Sequence, residues 1–225
     1  MFDSLSLDDA LALKRDGSLM LRGAVPTAWL ELLRASFEAN YLPSDGWPVP
    51  RGNDWRHAML DLDPLVQQVC RLPILLAATG QILNAPFFLS QVEGRAPCQN
   101  NQTQILHRDV EISVADHVVA LVYLDPFDAG NGATRFVPQS HQHCDHDDAV
   151  PIIAAGQAGD ILIMDARVLH GATTNSSGGQ RRSLLIAYAN RHLYDDHLAT
   201  ASLRGVRMAT DEIFGENQGE PQCHS

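Results

Sequence analysis

Positive charge is scarce in this chain. Sixteen Lys and Arg face 27 Asp and Glu across 225 residues, a formal net charge of −11. A general nucleic-acid binder presents a basic face, so this balance argues against that class. Lysine is nearly absent, Lys14 standing alone. Arginine abundance therefore reads as compositional bias and is not in itself a functional signal. Cysteine is sparse as well. Cys70, Cys98, Cys144 and Cys223 are scattered, with no C-x-x-C pair, which argues against a disulfide scaffold or zinc ribbon and favours free thiols. No apolar run approaches the roughly 20 residues of a membrane span. Met1-Phe2-Asp3-Ser4 lacks the basic-then-apolar order of a signal peptide. The expectation is a cytoplasmic protein with no membrane or nucleic-acid partner, its oligomeric state left open. What the chain does have is 45% hydrophobic and 19% charged residues, enough for a full core and too apolar for disorder. It carries no internal repeat and no low-complexity tract.

The first third reads as helical. Ser6 is a candidate cap for a helix over 7–15 that Asp16-Gly17 ends. A short strand follows over 18–23. Pro26 then opens a helix with Trp29, Leu30, Leu33 and Phe37 on one face. Residues 41–54 are rich in Pro, Gly and Asp and read as loop. A third helix over 64–79 is interrupted near Pro73. Beyond Asn84-Ala85-Pro86 short apolar runs alternate with turn residues. Strands are predicted near 87–92, 104–109, 117–124, 134–137, 152–154, 160–164, 167–170 and 182–190. Such strands with no helix between them predict an antiparallel jelly roll, a double-stranded β-helix core flanked by N-terminal helices. One domain is expected over 1–225: a mostly helical front over 1–85, the jelly-roll core over 86–192 and a C-terminal extension over 193–225.

His107-Arg108-Asp109 falls in a predicted strand, where alternation puts His107 and Asp109 on one face and Arg108 on the other. An imidazole and a carboxylate on an inner face are two corners of a metal site. His170, ending a later predicted strand and followed by Gly171, is the candidate third. Two histidines and one carboxylate with open positions form the facial triad of non-haem Fe(II) oxygenases. A lone H-x-D is common by chance, and without further support a core or turn histidine explains it better. Arg181 adds support. It lies across a turn at the start of the next strand, where a guanidinium could pair bidentately with a carboxylate co-substrate. A solvated strand edge is the plainer reading of Arg181-Arg182.

With these pieces in order, the chain resembles the phytanoyl-CoA dioxygenase family of Fe(II)/2-oxoglutarate dioxygenases. The resemblance rests on 16–23 (DGSLMLRG), His107-Arg108-Asp109, Leu124-Asp125, 131–141 (NGATRFVPQSH), Gly159-Asp160, His170-Gly171, Asn175 and Arg181. It implies that His107, Asp109 and His170 bind Fe(II) and that Arg181 anchors the far carboxylate of 2-oxoglutarate. Arg182 is the alternative if the register slips by one, and Thr173 is a hydroxyl partner by proximity. Gln104 faces away from His107 by strict alternation. O2 is the second co-substrate, and succinate and CO2 are the co-products. Two positions depart from the family. Leu121 stands where an aromatic residue is common, and Gln139 replaces the glycine of P-G-S-H. Asp109 is the carboxylate that related halogenases replace with a small residue, so its presence favours hydroxylation.

His-Arg-Asp is also a kinase motif, but no glycine-rich loop or Asp-Phe-Gly accompanies it. The run from His141 through His143 to His146 could hold a second metal, though a solvated polar loop explains it better. A cupin-like metal-dependent isomerase or hydrolase would share the barrel and the metal without needing Arg181, and a non-catalytic jelly-roll binding protein would need neither. For the small-molecule substrate, Arg51, Trp55, Arg56, His57 and Arg95 are candidates to meet an anionic group. The short helical front favours a compact amino acid or metabolite over a bulky acyl-CoA.

Overall fold

The computed structural model describes residues 5–39, 55–57, 63–143, 150–204 and 211–215. Helix α1 (Leu7–Asp16) starts where the Ser6 hydroxyl accepts from the Asp9 amide, and ends at Gly17, which is left-handed at φ 72°. Gly17 is doubly constrained. A Cβ there would also lie 2.4 Å from His141 Nδ1 and 2.7 Å from Val168. Strand β1 (Ser18–Leu21) follows. A 3-10 turn (Thr27–Trp29) leads into α2 (Leu30–Ala39). After β2 (Trp55–His57), α3 (Pro64–Val69) and α4 (Pro73–Leu83) form the interrupted helix predicted around Pro73. The strands β3 (Phe87–Arg95), β4 (His117–Tyr123), β5 (Thr134–Phe136), β6 (Ile152–Ile153), β7 (Ile161–Asp165), β8 (His170–Ala172) and β9 (Ser183–Asn190) complete the core. Helices α5 (Tyr194–Ala199) and α6 (Ala201–Arg204) and strand β10 (Ile213–Phe214) follow.

The strands form a seven-stranded sheet, β1-β7-β4-β9-β3-β10 with β2 also on β3, and a three-stranded sheet, β6-β5-β8. All their pairings are antiparallel. This is the double-stranded β-helix the strand pattern predicts. The large sheet is covered on both faces, so its strands read as unbroken apolar runs. Val118, Ala120, Val122, Ile161, Ile163, Leu184 and Ile186 pack against Leu13, Leu33, Phe37, Leu75 and Leu76 of the helices. Leu121, Tyr123, Leu162 and Met164 point the other way, into the lumen, against Phe127 and Phe136. Among the described residues no helix is long and apolar enough to cross a membrane.

A β-bulge sets the inner face of β3. Phe87 and Leu89 lie on the helix side with Val92, which strict alternation from 87 and 89 would place in the lumen. The register with β9 shifts between Leu89 and Gln91. The extra residue, Ser90, reverses the phase of the strand. Gln91, Glu93 and Arg95 consequently face inward.

Two expectations about the site strands are corrected. Residues 104–109 do not form a strand. Their backbone bonds to the β8 region occur at Gln104, His107 and Asp109, spacings of three and then two, too irregular for a ladder, and Ile105 stands 86% exposed. His170 opens a strand instead of ending one, because the Asp165 to Val168 backbone bond turns the chain just before it.

Candidate metal centre and co-substrate pocket

His107 and His170 are held opposite each other by reciprocal backbone hydrogen bonds. Each amide donates to the other's carbonyl at 2.9 Å. This bridge fixes the separation of two residues remote in sequence, with ring centroids 4.6 Å apart. The Asp109 amide donates to the Ala166 carbonyl at 3.0 Å and draws its carboxylate to the same place. Asp109 Oδ1 lies 3.7 Å from His107 Nε2, and Oδ2 lies 3.7 Å from His170 Nε2. All three donor atoms fall within 4.8 Å of one another. Donors about 2.1 Å from a shared ion on adjacent corners lie about 3 Å apart, so a small contraction would seat a metal here. Among the described residues this is the one group of His, Cys, Asp and Glu with that spacing.

The second nitrogen of each imidazole is already committed. His107 Nδ1 donates to the Ile105 carbonyl at 2.9 Å, and His170 Nδ1 to the Val168 carbonyl at 3.0 Å. Both therefore present an Nε2 lone pair, the tautomer a metal ligand needs. Burial pushes the His170 imidazole below its usual pKa despite the opposing Asp109 charge, so it is neutral near pH 7. The side chains of His107 and Asp109 are 42% and 40% exposed, whereas His170 is 14% exposed. The donors fit a divalent ion open to a ligand on one side.

Behind the donors lies a cavity of about 260 Å³, with His107, Asp109 and His170 at its wall and Arg181 among its other lining residues. Arg181 is 2% exposed. It donates to the Gly132 carbonyl, and its guanidinium sits 4.5 Å above the Phe127 ring, which stacks on Tyr123 at 3.6 Å. Gly132 has φ 85°, and a Cβ there would press on the Asn175 amide and the Thr173 carbonyl at 3.2 Å. The Asn131-Gly132 turn thus serves to offer a carbonyl to Arg181, and the Asn131–Asn175 bridge holds that turn in place. Leu121, the residue in place of the family's aromatic, is in the cavity wall.

The remaining candidates separate clearly. Arg182 lies on the other side of the chain. It makes two bonds of 2.8 Å to Asp125 and one of 3.2 Å to Glu38, which fastens α2 to the barrel and removes it as the alternative to Arg181. Thr173 donates its hydroxyl to the Ala133 carbonyl at 2.8 Å and does not line the cavity, where Thr134 is found instead. Gln104 does line it, contrary to the alternation argument, because its segment is not a strand. Its side-chain oxygen accepts from the Ala172 amide at 2.9 Å. Arg95 also lines this cavity. Arg51 falls outside the described residues, as do the side chains of Trp55, Arg56 and His57. Their backbone pairs with β3, Trp55 opposite Arg95 and His57 opposite Glu93. His141 is buried beside Gln142, and residues 144–149 of that loop lie outside the described set. Glu93, fully buried on the inner face of β3, was missed. A single acid inside an apolar strand was the available signal.

This barrel, with its three convergent donors and buried arginine, has the fold of 2-oxoglutarate-dependent oxygenases. The carbocyclase SnoK from nogalamycin biosynthesis, described as non-heme and alpha-ketoglutarate-dependent, superposes with a TM-score of 0.72 at 17% identity over 93% of this chain and 95% of its own. HygX from Streptomyces hygroscopicus, solved with nickel and 2-oxoglutarate bound, gives 0.71 at 17% identity over 84% and 88%. The epimerase SnoN gives 0.69 at 21% over 81% of each chain. Dioxygenase FUM3 of Gibberella moniliformis (strain M3125 / FGSC 7600) is 38% identical over 71 residues, 29% of this chain and 23% of that protein. The match thus spans about a quarter of that relative. The phytanoyl-CoA dioxygenase (PhyH) family matches residues 13–183, and the chain belongs to that family.

Proposed function

We propose that this chain is an Fe(II)- and 2-oxoglutarate-dependent oxygenase, one domain over 1–225, that hydroxylates an unactivated C–H of a compact metabolite. His107, Asp109 and His170 would hold the ferrous ion and Arg181 the far carboxylate of 2-oxoglutarate. The bound iron and co-substrate supply coupled O2 reduction and decarboxylation, yielding succinate, CO2 and an oxidised substrate. The chain's own contribution is positional. The two carbonyls at Ile105 and Val168 fix the imidazole tautomers, and the His107–His170 bridge sets the spacing of the ligands. The stacked Phe127 and Tyr123 exclude water from the Arg181 end, where a charge-assisted pair with a carboxylate is strongest. The observation that carries this reading is the convergence of three metal-type donors on one cavity that also holds a buried arginine.

The cupin-like isomerase or hydrolase and the non-catalytic binder give way to the family membership. SnoN and SnoK bear the names epimerase and carbocyclase, so the outcome needs its own assay. A hydroxylated product gains one oxygen, an epimer keeps its mass, and ring closure removes hydrogen. Asp109 supports oxygenation over halogenation because it occupies the position a halide would need.

The first test is succinate formation from 2-oxoglutarate with Fe(II) in air. Arg181→Ala should raise the 2-oxoglutarate concentration for half-maximal turnover far more than the iron requirement. Losing a buried charged pair costs about 2–4 kcal/mol, roughly 30- to 1,000-fold. Wild-type protein that binds Fe(II) but never turns over 2-oxoglutarate, even with substrate candidates present, would sink the proposal.

A further inference from the structure

A second cavity, about 370 Å³, adjoins the first. The two share Asp109, Val119 and Leu185 in their walls, so they meet on the Asp109 side of the candidate metal centre. Arg181 lines the first and not the second. The second cavity therefore reaches the reacting position without passing the co-substrate's anchor. Its room comes from β9. Leu184, Ile186 and Tyr188 of that strand face the helices, which turns Leu185 and Ala187 to the lumen. Ala187 stands between Gln91 of β3 and Val119 of β4, and its small side chain leaves the space open. A volume of this size suits a small metabolite.

Several polar groups of this wall are already engaged. Ser90 donates its hydroxyl to the Ala187 carbonyl at 3.0 Å, and Glu93 and His197 have partners of their own. His117 differs. It opens β4 on the same face as Val119 and Leu121, which line the first cavity. Its carbonyl accepts from the Ala166 amide at 3.1 Å, and the Ala166 carbonyl accepts from the Asp109 amide at 3.0 Å. His117 and Asp109 are thus fixed two strand spacings apart, about 10 Å at the backbone. The ring is anchored at one edge. His117 Nδ1 lies 2.6 Å from Asp116 Oδ1, and His192 Nε2 lies 3.5 Å from Asp116 Oδ2. The Asn190 amide holds the Asp116 backbone by donating to its carbonyl at 2.9 Å. An ionised carboxylate only accepts, so Nδ1 carries the ring proton and Nε2 keeps a lone pair. Among the described residues nothing donates to that nitrogen.

We infer that this cavity holds the primary substrate and that His117 selects it, accepting at Nε2 a hydrogen bond from a hydroxyl of a compact, neutral molecule. Asp116 is the positioning residue that fixes the tautomer. Gln91 offers an uncharged amide in the same wall. In that tautomer neither His117 nor Gln91 carries a charge, so the pair matches a hydroxyl and not an ion. Among the described residues the wall has no arginine or lysine, and Asp109 stands at its inner end, which disfavours a carboxylate. This assignment rests on the oxygenase reading and adds to it the substrate class. It departs from the sequence-based expectation of an anionic substrate group. Arg95, the described member of that candidate set, belongs to the first cavity.

The test uses NMR titration of the full chain with 2-oxoglutarate and Zn(II), an ion without redox chemistry, so that binding is read without turnover. The probes are trans-1,4-cyclohexanediol, its dimethyl ether and cyclohexanecarboxylate. The diol should bind about three- to tenfold more tightly than the ether, the worth of one neutral hydrogen bond. It should also shift the 15N resonance of His117 Nε2, which the ether should leave in place. Equal binding of diol and ether, no binding of the diol, tighter binding of the carboxylate, or an unmoved His117 resonance overturns the assignment. All four are read on the wild type, so none depends on a variant folding. His117→Leu should erase the diol preference, and an unchanged preference in the folded variant overturns the assignment as well. In Asp116→Ala the His117 ring should shift toward the Nε2–H tautomer by 15N NMR and lose diol preference. A retained Nδ1–H tautomer overturns the role of Asp116. Binding of 2-oxoglutarate to the Fe(II)-loaded wild type under argon is measured alongside. Its absence overturns the oxygenase reading, whereas its presence without a diol preference overturns the hydroxyl pocket alone.

Discussion

In the large sheet β4 is buried along nearly its whole length, with Val118, Ala120 and Val122 against the helices and Leu121 and Tyr123 in the lumen. The small sheet is built from segments two or three residues long and leaves Ile152 49% and Ile153 38% exposed. Yet the small sheet supplies His170, and its neighbouring segment supplies His107 and Asp109. Hydrophobic burial is concentrated in the sheet that carries none of the three metal-type donors. The metal-type donors are placed by a few backbone hydrogen bonds on the thinner sheet, where open space remains for ligands. Stability and ligand placement are thus separable in this fold, and substitutions in the two sheets should report on different properties.

The largest effect is expected from the large sheet. Ile186→Ala removes a fully buried side chain between Val92 and Ala120 and should cost about 2–5 kcal/mol in urea unfolding. Ile153→Ser in the small sheet should stay within about 0.5 kcal/mol. Similar losses from both would break the comparison. Asp109→Ala should weaken Fe(II) binding by at least about tenfold in equilibrium dialysis, since even indirect supports of a metal ligand are worth about 10- to 100-fold. Its unfolding midpoint should scarcely move, because the side chain is 40% exposed. A large loss of stability would show that the donor loop also carries the fold.

Acid should act on the joint between the helical front and the large sheet. Burial pushes the Asp125 carboxyl up, but the bonds from Arg182 and the charges of Arg182 and Arg34 outweigh it and hold the group below 3.8. Burial likewise opposes, and the Gln157 and Gly23 amides and Arg22 outweigh, at Asp160. Both native pKa values are lowered, so the unfolded chain takes up protons first as pH falls. The stability these groups contribute is complete above 3.8 and is lost as pH drops below it through the native values. Unfolding midpoints measured downward from pH 6 should fall most steeply below pH 4, and Asp125→Asn should flatten that fall. A small gain is expected at Gln139, left-handed at φ 66°. Gln139→Gly relieves the Cβ conflict and should add about 0.5–1 kcal/mol by the same unfolding assay.

Much of this was legible in the sequence. Ser6, Gly17 and Pro73 marked helix ends through local chemistry that tertiary contacts did not override. The apolar runs of β4, β7 and β9 were long enough to declare themselves as strands. His107, Asp109, His170 and Arg181 stood out because their residue types and order carry a chemical meaning. The failures have a common physical origin. Alternation presumes a regular strand, and neither 104–109 nor β3 is regular. The first is tied to β8 at uneven intervals, which brings Gln104 into the cavity. The second carries the Ser90 bulge, which turns Glu93 and Arg95 inward. Thr173 looked suitable by proximity, but its hydroxyl meets a backbone carbonyl that sequence spacing cannot reveal.

The reciprocal amide–carbonyl pair at His107 and His170 has a consequence for redesign. The separation of the two imidazoles is written into that one bridge and not into the length of chain joining them. Loops grafted or trimmed between β4 and β7 should leave both rings where they are, provided the bridge survives. A single-residue insertion between Gln104 and Asp109 would dismantle the centre while the rest of the barrel folds around the gap.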